Sequence, residues 1–165
     1  MNYNALEIAF HARLGETMSV IRNALLDEND VPLVNEEGAY ILQSPLTPID
    51  LIKFPNIVYD DTEETTQWVR PTLLYANAES ATLGRDGLNF VRGIYQVSIF
   101  TPRNVGTELS NLYATGILRG FPKGERLLFS GGVIMIDVGY QSTNLLEDNF
   151  LHTPVTIPFT AHMEV

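Results

Sequence analysis

Residues 90–100 read FVRGIYQVSIF, and from position 95 onward apolar and polar side chains alternate. Tyr95, Val97 and Ile99 fall on one side of an extended chain, and the polar residues between them fall on the other. This period of two predicts a β-strand with one face in the core, and Pro102 marks its end.

Further strands are predicted on both sides of this one. The segments with strand character are 39–42, 56–59, 68–76, 127–129, 133–140 and 154–165. Pro71 places the third of these at a sheet edge or a bulge. Residues 77–89 are predicted to form a flexible loop, and Ser130-Gly131-Gly132 is predicted to be the turn of a hairpin.

Two amphipathic helices complete the predicted fold. The first has apolar residues at steps of three and four, at Leu6, Phe10, Leu14, Met18, Ile21 and Leu25. Asn4 and Glu7 have the form of a capping box at its start. The second helix is predicted over 107–121, where Pro122 ends it, and the Gly116 and Gly120 pair in it predicts close packing. These elements predict an α+β fold, a mostly antiparallel mixed sheet with two main helices packed on one face.

The periodicities also predict which side chains are buried. On the helices these are Leu14, Met18, Ile21, Leu112, Ile117 and Phe121, and beneath them on the sheet Tyr95, Val97, Ile99, Val133, Met135 and Val155.

Length and charge limit the function classes. The chain has 165 residues, so we expect a single domain over 1–165, with 27–53 as an irregular acidic excursion. The net charge is −10, and residues 27–64 carry ten acidic residues and one lysine, which argues against binding to nucleic-acid phosphates. No uncharged stretch is long enough to cross a membrane, and residues 1–10 lack the basic start of a signal peptide. Cysteine is absent, which removes disulfides and thiolate chemistry.

No pattern of catalytic or metal-ligating residues emerges. His11, His152 and His162 lack the spacing of a zinc site and are expected to be structural. The acidic run at residues 60–64 could attract a hard cation, but it lacks the EF-hand pattern and is more typical of a solvated turn. Ser130 lacks the glycine two residues earlier that a nucleophile elbow needs. We therefore expect no enzyme, no cofactor and no metal site.

Several short motifs nevertheless resemble a known family. They are Phe54-Pro55-Asn56, Trp68-Val69, Leu83-Gly84, the run from Gly93 to Ile99, Gly106 before a helix, Phe121-Pro122-Lys123-Gly124, and the run from Pro154 to Phe159. Together they resemble the tail terminators of long-tailed bacteriophages, loosely in the first helix and more closely over residues 54–165. The excursion at 27–53 departs from that family, which passes from the first helix to the Pro-Asn strand more directly.

The resemblance implies a structural virion protein at the head-proximal end of the tail, made in the cytoplasm of a bacterial host. It implies a homohexameric ring that ends polymerisation of the tail tube and offers a docking surface to the neck or head-completion protein. The partners would be further copies of the chain, the tail tube protein and the neck, without a membrane or sequence-specific nucleic acid, since DNA only passes through the lumen. Another neck or tail-completion protein, or a small ligand-binding or carboxylate-dependent metal-binding module, remains an alternative.

Two sets of residues are predicted to act in such a ring. Arg85 and Asp86, in the predicted loop, are expected to make contacts between subunits, because an Arg fork recognises a carboxylate with geometric specificity. The acidic side chains are expected to face the lumen or the surface that DNA passes, because like charges would repel at a contact between copies. They are Asp60, Asp61, Glu63 and Glu64.

Overall fold

A computed structural model describes residues 2–25, 49, 51–55, 57, 67–80, 87–104 and 106–164. The helices in this part of the chain are α1 (Tyr3–Leu25) and α2 (Glu108–Gly120). The strands are β1 (Leu51–Ile52), β2 (Trp68–Ser80), β3 (Leu88–Pro102), β4 (Arg126–Phe129), β5 (Gly132–Ile136), β6 (Tyr140–Gln141), β7 (Leu145–Leu146) and β8 (Phe150–Glu164).

The eight strands form one sheet in the order β1-β2-β3-β8-β5-β4, and β6 and β7 pair with β8 beside β5. Every pairing is antiparallel except that of β1 with β2. Both helices contribute to a single core on one face of this sheet. The predicted α+β fold, with a mostly antiparallel sheet and two helices on one face, is confirmed.

The centre of the sheet is the pair of long strands β3 and β8. Tyr95, Val97 and Ile99 are fully buried, as their alternation predicts. Tyr95 pairs with Ile157 and Val97 with Val155, so both strands direct apolar side chains toward the helices. Burial of each such side chain contributes about 1.5–3 kcal/mol, so this strip supplies a large share of the core's stability.

The apolar stripe of α1 lies against this strip. The described members of the predicted stripe are buried: Leu6, Phe10, Leu14, Met18 and Ile21. The helix begins earlier than predicted, because the Asn2 side chain accepts a hydrogen bond from the Ala5 N–H at 3.0 Å and caps the first turn. The capping box predicted at Asn4 is therefore wrong, since Asn4 already lies inside the helix.

The two helices approach closely at two glycines. A Cβ atom on Gly116 would meet Ile21 Cδ1 at 2.5 Å, and one on Gly120 would collide with the Thr17 side chain. The Arg13 Nε–H donates a hydrogen bond of 2.8 Å to the Gly120 carbonyl across the same contact. The close packing predicted from the Gly116 and Gly120 spacing is confirmed.

Aromatic rings fill the space between the helices and the sheet. Phe10 stacks on Tyr95 with ring centroids 4.5 Å apart and contacts Phe159 edge-on at 4.9 Å. Phe121, just beyond α2, is 1% exposed and lies 5.8 Å from the Tyr95 ring. Phe121 is therefore buried as predicted and closes one side of this aromatic cluster.

The burial predicted for β5 is wrong, because the opposite face of the strand lies in the core. Ile134 and Ile136 are buried, whereas Val133 and Met135 lie half-exposed on the opposite side of the sheet. All four residues are apolar, so alternation alone could not choose between the two faces. The pairing with β8 decides, because it places Ile134 opposite the buried Ala161.

Several predicted boundaries also differ. The hairpin of β2 and β3 is longer than predicted, because β2 continues to Ser80 past a bulge between Tyr75 and Asn77. The predicted strand 133–140 divides into β5 and β6, and Leu112 is only half-buried beside α1. Residues 51–52, predicted as part of an irregular stretch, form β1. Ile57 lies outside any strand, and the rest of 56–59, like 39–42, lies outside the described residues.

Two turn predictions hold. β4 and β5 form a hairpin around Ser130 and Gly131, where Gly131 adopts a positive φ of 100° that suits glycine. Pro71 lies where β1 no longer pairs with β2, since β1 pairs only with Trp68 and Val69. Pro71 therefore occupies an edge position within the described sheet, as predicted.

Phe121→Ala tests the aromatic cluster. Removal of this buried ring leaves a cavity beside Tyr95 and Phe10, and we expect a loss of about 3–5 kcal/mol in the free energy of unfolding. Urea denaturation monitored by circular dichroism measures the loss. A change below about 1 kcal/mol would show that the ring contributes little to the core.

Gly120→Ala and Gly15→Ala form a matched pair in the helix contact. We expect Gly120→Ala to destabilise by about 1–3 kcal/mol, because its Cβ would collide with Thr17. A Cβ on Gly15 would meet nothing within 4 Å, so Gly15→Ala should stabilise by about 0.5–1 kcal/mol through helix propensity. Equal effects of the two changes, measured by the same denaturation, would contradict the assigned helix contact.

Candidate assembly surface

The side of the sheet that faces away from both helices is here called the outer face. Its residues follow from the alternation along each strand and from the strand register. Its described members are Trp68, Arg70, Thr72, Leu74, Glu79, Leu88, Phe90, Arg92, Ile94, Gln96, Ser98, Phe100, Pro102, Arg126, Leu128, Val133, Met135, Tyr140, Leu145, Phe150, His152, Pro154, Thr156, Pro158, Thr160 and His162. No helix among the described residues covers this face.

A row of stacked rings occupies one end of the outer face. Trp68, Phe100 and His152 are register partners on β2, β3 and β8. The Trp68 and Phe100 centroids are 3.9 Å apart, and those of Phe100 and His152 are 4.6 Å apart, with nearly parallel planes in both pairs. All three residues are buried, so this end of the outer face is packed rather than open.

Two cations lie over this row. The Lys53 Nζ is 4.3 Å from the centroid of the Trp68 ring, and Lys53 is only 3% exposed. The guanidinium carbon of Arg70 is 5.2 Å from the centroid of Phe100. The electron-rich ring faces stabilise both charges, so the cations and the rings hold β1, β2 and β3 together at this end.

His152 ends the row beside a carboxylate. Its Nδ1 lies 3.0 Å from Oε1 of Glu147. Burial lowers the pKa of His152 from its ordinary value of 6.5, and the Arg70 charge acts in the same direction, whereas Glu147 raises the pKa. The lowering by burial prevails, so the packed ring is mainly neutral at neutral pH.

The rest of the outer face is more open and carries exposed apolar side chains. They are Leu74, Leu88, Leu128, Tyr140 and Leu145, with exposed fractions from 43% to 80%. Scattered exposed apolar residues are ordinary, but a group on one uncovered sheet face is typical of an interaction surface.

Charge on the outer face differs from that of the whole chain. Its described strand residues with charged side chains, apart from the histidines, are Arg70, Arg92, Arg126 and Glu79, and Lys53 and Glu147 add one charge of each sign at the packed end. All ten acidic residues at 27–64, which dominate the net charge of −10, lie outside the described residues. The outer face is therefore apolar to basic, which suits an uncharged or acidic contact rather than a basic one.

A groove of about 650 Å³ lies between α1 and α2 on the opposite side of the molecule. Arg13 crosses one end of it, hydrogen-bonded to the Gly120 carbonyl and 3.6 Å from a Glu125 oxygen. Val20, on its rim, is 69% exposed. The described lining offers no nucleophile paired with a base, and no three acidic or histidine side chains of the described chain lie together as metal ligands. Neither helix is long and apolar enough to span a membrane.

The residues predicted to act in a ring cannot be placed on these surfaces. Arg85 and Asp86 lie outside the described residues, and so do Asp60, Asp61, Glu63 and Glu64. The sequence reasoning also missed the aromatic row. Trp68, Phe100 and His152 are far apart in the chain, and only the strand register brings them together. Trp68 and Phe100, each on a predicted strand, were the available signal, whereas His152 precedes the strand predicted over 154–165.

Lowering the pH tests the packed state of His152. Because its pKa is lower in the folded protein than in the unfolded chain, its stabilising contribution is complete above about pH 6.5 and falls as the pH drops through that value. Burial also lowers the pKa of His11, which adds to the same loss. We expect His152→Gln to lose less stability than the unaltered protein between about pH 7.5 and about pH 5.5 in urea denaturation. An equal loss in both proteins would exclude this role for His152.

Comparison with known proteins identifies the family. The family model for the phage tail terminator protein matches residues 42–159, which is more than half of the chain. No curated protein matches the sequence. One solved structure, of a protein without a descriptive name, superimposes with a TM-score of 0.62 at 15% identity, over 98% of this chain and 96% of the other. That likeness shows a shared fold alone, whereas the family model places this chain in the phage tail terminator family.

Proposed function

We propose that this protein forms a closed ring on the head-proximal end of a phage tail tube, ends tube polymerisation there and offers a docking surface to the neck. The observation that carries the proposal is the family match over residues 42–159, which supports a structural role in a phage tail. The outer face adds support, because its exposed apolar side chains are of the kind that contacts between copies cover.

A ring fits the geometry of its target. A tube with rotational symmetry offers identical docking sites, so a protein that caps it gains from matching that symmetry. Head-to-tail contacts between copies close into a ring when the rotation between neighbours divides a full turn. Six copies is the number that the family resemblance implies.

The charge distribution suggests which residues face the lumen of the proposed ring. We propose that Asp60, Asp61, Glu63 and Glu64 face the lumen or the surface that DNA passes, since a negative surface there would keep the polyanion from adhering. Arg85 and Asp86 stay predicted contacts between subunits. They follow Ser80, the last residue of β2, within six positions of the chain.

Removal of the gene during phage assembly tests the terminator function. We expect tails of uncontrolled length that fail to join heads, because nothing then stops addition of tube subunits. Electron microscopy of the lysate measures the tail length distribution, and supply of the unaltered protein from a plasmid is the control. Tails of normal length joined to heads would contradict the proposal, whereas tails of normal length without heads would favour a neck or tail-completion protein.

The mass of the protein in solution tests the ring directly. We expect a defined multiple of the 18.4 kDa chain in the presence of excess tail tube protein, measured by light scattering after size exclusion. A single copy alone in dilute solution is compatible with weak contacts. A single copy per tube end at saturating tube protein would contradict a ring.

A further inference from the structure

The connection between β5 and β8, residues 137–149, carries a group of exposed apolar side chains. It is here called the edge connection, because its strands β6 and β7 pair along the same edge of β8 as β5 does. Four large apolar residues within nine positions are between 51% and 67% exposed: Val138, Tyr140, Leu145 and Leu146. A single exposed apolar residue is ordinary, whereas a group of them is typical of a surface that another protein covers.

The edge connection is anchored to the rest of the fold at several points. The side-chain amide of Gln141 donates a hydrogen bond of 2.9 Å to the side-chain oxygen of Asn111 on α2. At the other end, the Arg103 guanidinium donates a hydrogen bond of 3.0 Å to the Asp148 carbonyl. β6 and β7 add backbone pairing with β8 between these points. A surface that is already ordered loses little conformational entropy when a partner covers it, which favours association.

The charged residues of the edge connection are all acidic. They are Asp137, Glu147 and Asp148, and all three are exposed. Glu147 lies beside His152, whereas Asp137 and Asp148 make no ion pair with any other residue that the structure describes. The edge connection is therefore an apolar surface with a negative charge.

The outer face of β4 and β5 has the opposite charge. This part of the sheet is here called the β4–β5 face, and its residues are Arg126, Leu128, Val133 and Met135. Leu128 is 80% exposed, Arg126 is exposed, and the other two are half-exposed. The register continues the row of Arg126 across the sheet to the exposed Arg92 of β3. Within the described chain neither arginine makes an ion pair, so both charges are available to a partner.

Charge complementarity selects a second copy of this chain as the partner of each surface. When the edge connection of one copy faces the β4–β5 face of another, aspartates meet arginines and the apolar side chains of both surfaces are covered. Two edge connections would bring acidic groups together, and two β4–β5 faces would bring arginines together, so like surfaces repel each other. Both surfaces lie in parts of the chain that the structure describes without a gap, 87–104 and 106–164.

We propose that the edge connection of one copy docks on the β4–β5 face of the next copy. The inference rests on the proposed ring and names the two surfaces that form its subunit contact. Because these surfaces differ from each other, the contact is head-to-tail, which is the kind that closes a ring. The acidic groups of the edge connection then lie beside Arg92 and Arg126 of the neighbouring copy.

Reversal of the charge on each surface tests the contact in the full-length protein. One variant carries Arg92→Glu and Arg126→Glu, and a second variant carries Asp137→Lys and Asp148→Lys. We expect each variant alone to need about tenfold or more protein for half assembly on tail tube protein at low salt, because both of its surfaces then have the same sign. Light scattering after size exclusion measures assembly, and thermal unfolding checks that each variant is folded.

Mixing the two variants provides the rescue. In an equimolar mixture, each negative surface of the first variant meets a positive surface of the second, so we expect assembly to return. The variant that combines all four substitutions should also assemble alone, because its two surfaces have exchanged charges. Rescue in neither case would overturn the proposed contact. Variants that assemble as well as the unaltered protein before mixing would also overturn it, but would leave the proposed ring intact.

Leu146→Ser and Ile8→Ser form a matched pair that tests the apolar part of the contact. Leu146 in the edge connection is 67% exposed, and Ile8 on α1 is 58% exposed. We expect Leu146→Ser to raise the protein concentration for half assembly about tenfold, because it removes an apolar side chain that the neighbour covers, and Ile8→Ser to leave that concentration unchanged. Equal effects of the two changes would overturn the proposed contact. Single copies of the unaltered protein at saturating tube protein would overturn both the ring and this contact.

Discussion

Fifteen consecutive residue pairs join β3 to β8, from Leu88 with Glu164 to Pro102 with Phe150, and most of the described molecule depends on this ladder. A shift of one residue would exchange the two faces of one strand and place polar groups under the helices. The register is held because Tyr95 and Ile157 are both fully buried on the same face. The neighbouring strands then add to a sheet whose faces are already assigned.

The same ladder determines the surface. The register that places Tyr95 in the core also aligns Phe100 with His152, and β2 adds Trp68 to them. The pairing of β3 with β8 therefore determines both which side chains form the core and which form the outer face. The outer face cannot be rearranged without disturbing the packing of α1, which contacts Tyr95 through Phe10.

The sequence predicted most of the fold where a period was unambiguous. The spacing of Leu6, Phe10 and Leu14 admits only a helix with that face buried, and the polar residues between Tyr95 and Ile99 admit only one face for β3. β5 was not predictable in the same way, because Val133 and Ile134 are equally apolar and long-range pairing decides between them. Asn2 and Asn4 are equally capable of capping, so residue type alone did not decide where α1 begins.

The candidate surface was less predictable than the fold. The aromatic row exists only after strands from distant parts of the chain are aligned, and the spacing of residues within one segment does not predict that alignment. Charge runs such as residues 60–64 are easy to see in the sequence, but they have no apolar period. The sequence therefore does not predict which element they pair with or where they lie.

The bulge between Tyr75 and Asn77 has a consequence for the end of the β2 and β3 hairpin. A bulge increases the local twist of its strand, so the last residues of β2 point in a different direction from its first residues. The extra residue also shifts the alternation along β2, so that Leu73 packs against the core whereas Glu79, also odd-numbered, pairs with Phe90 on the outer face. The bulge therefore determines both the direction of this end of the hairpin and the face on which the last side chains of β2 lie.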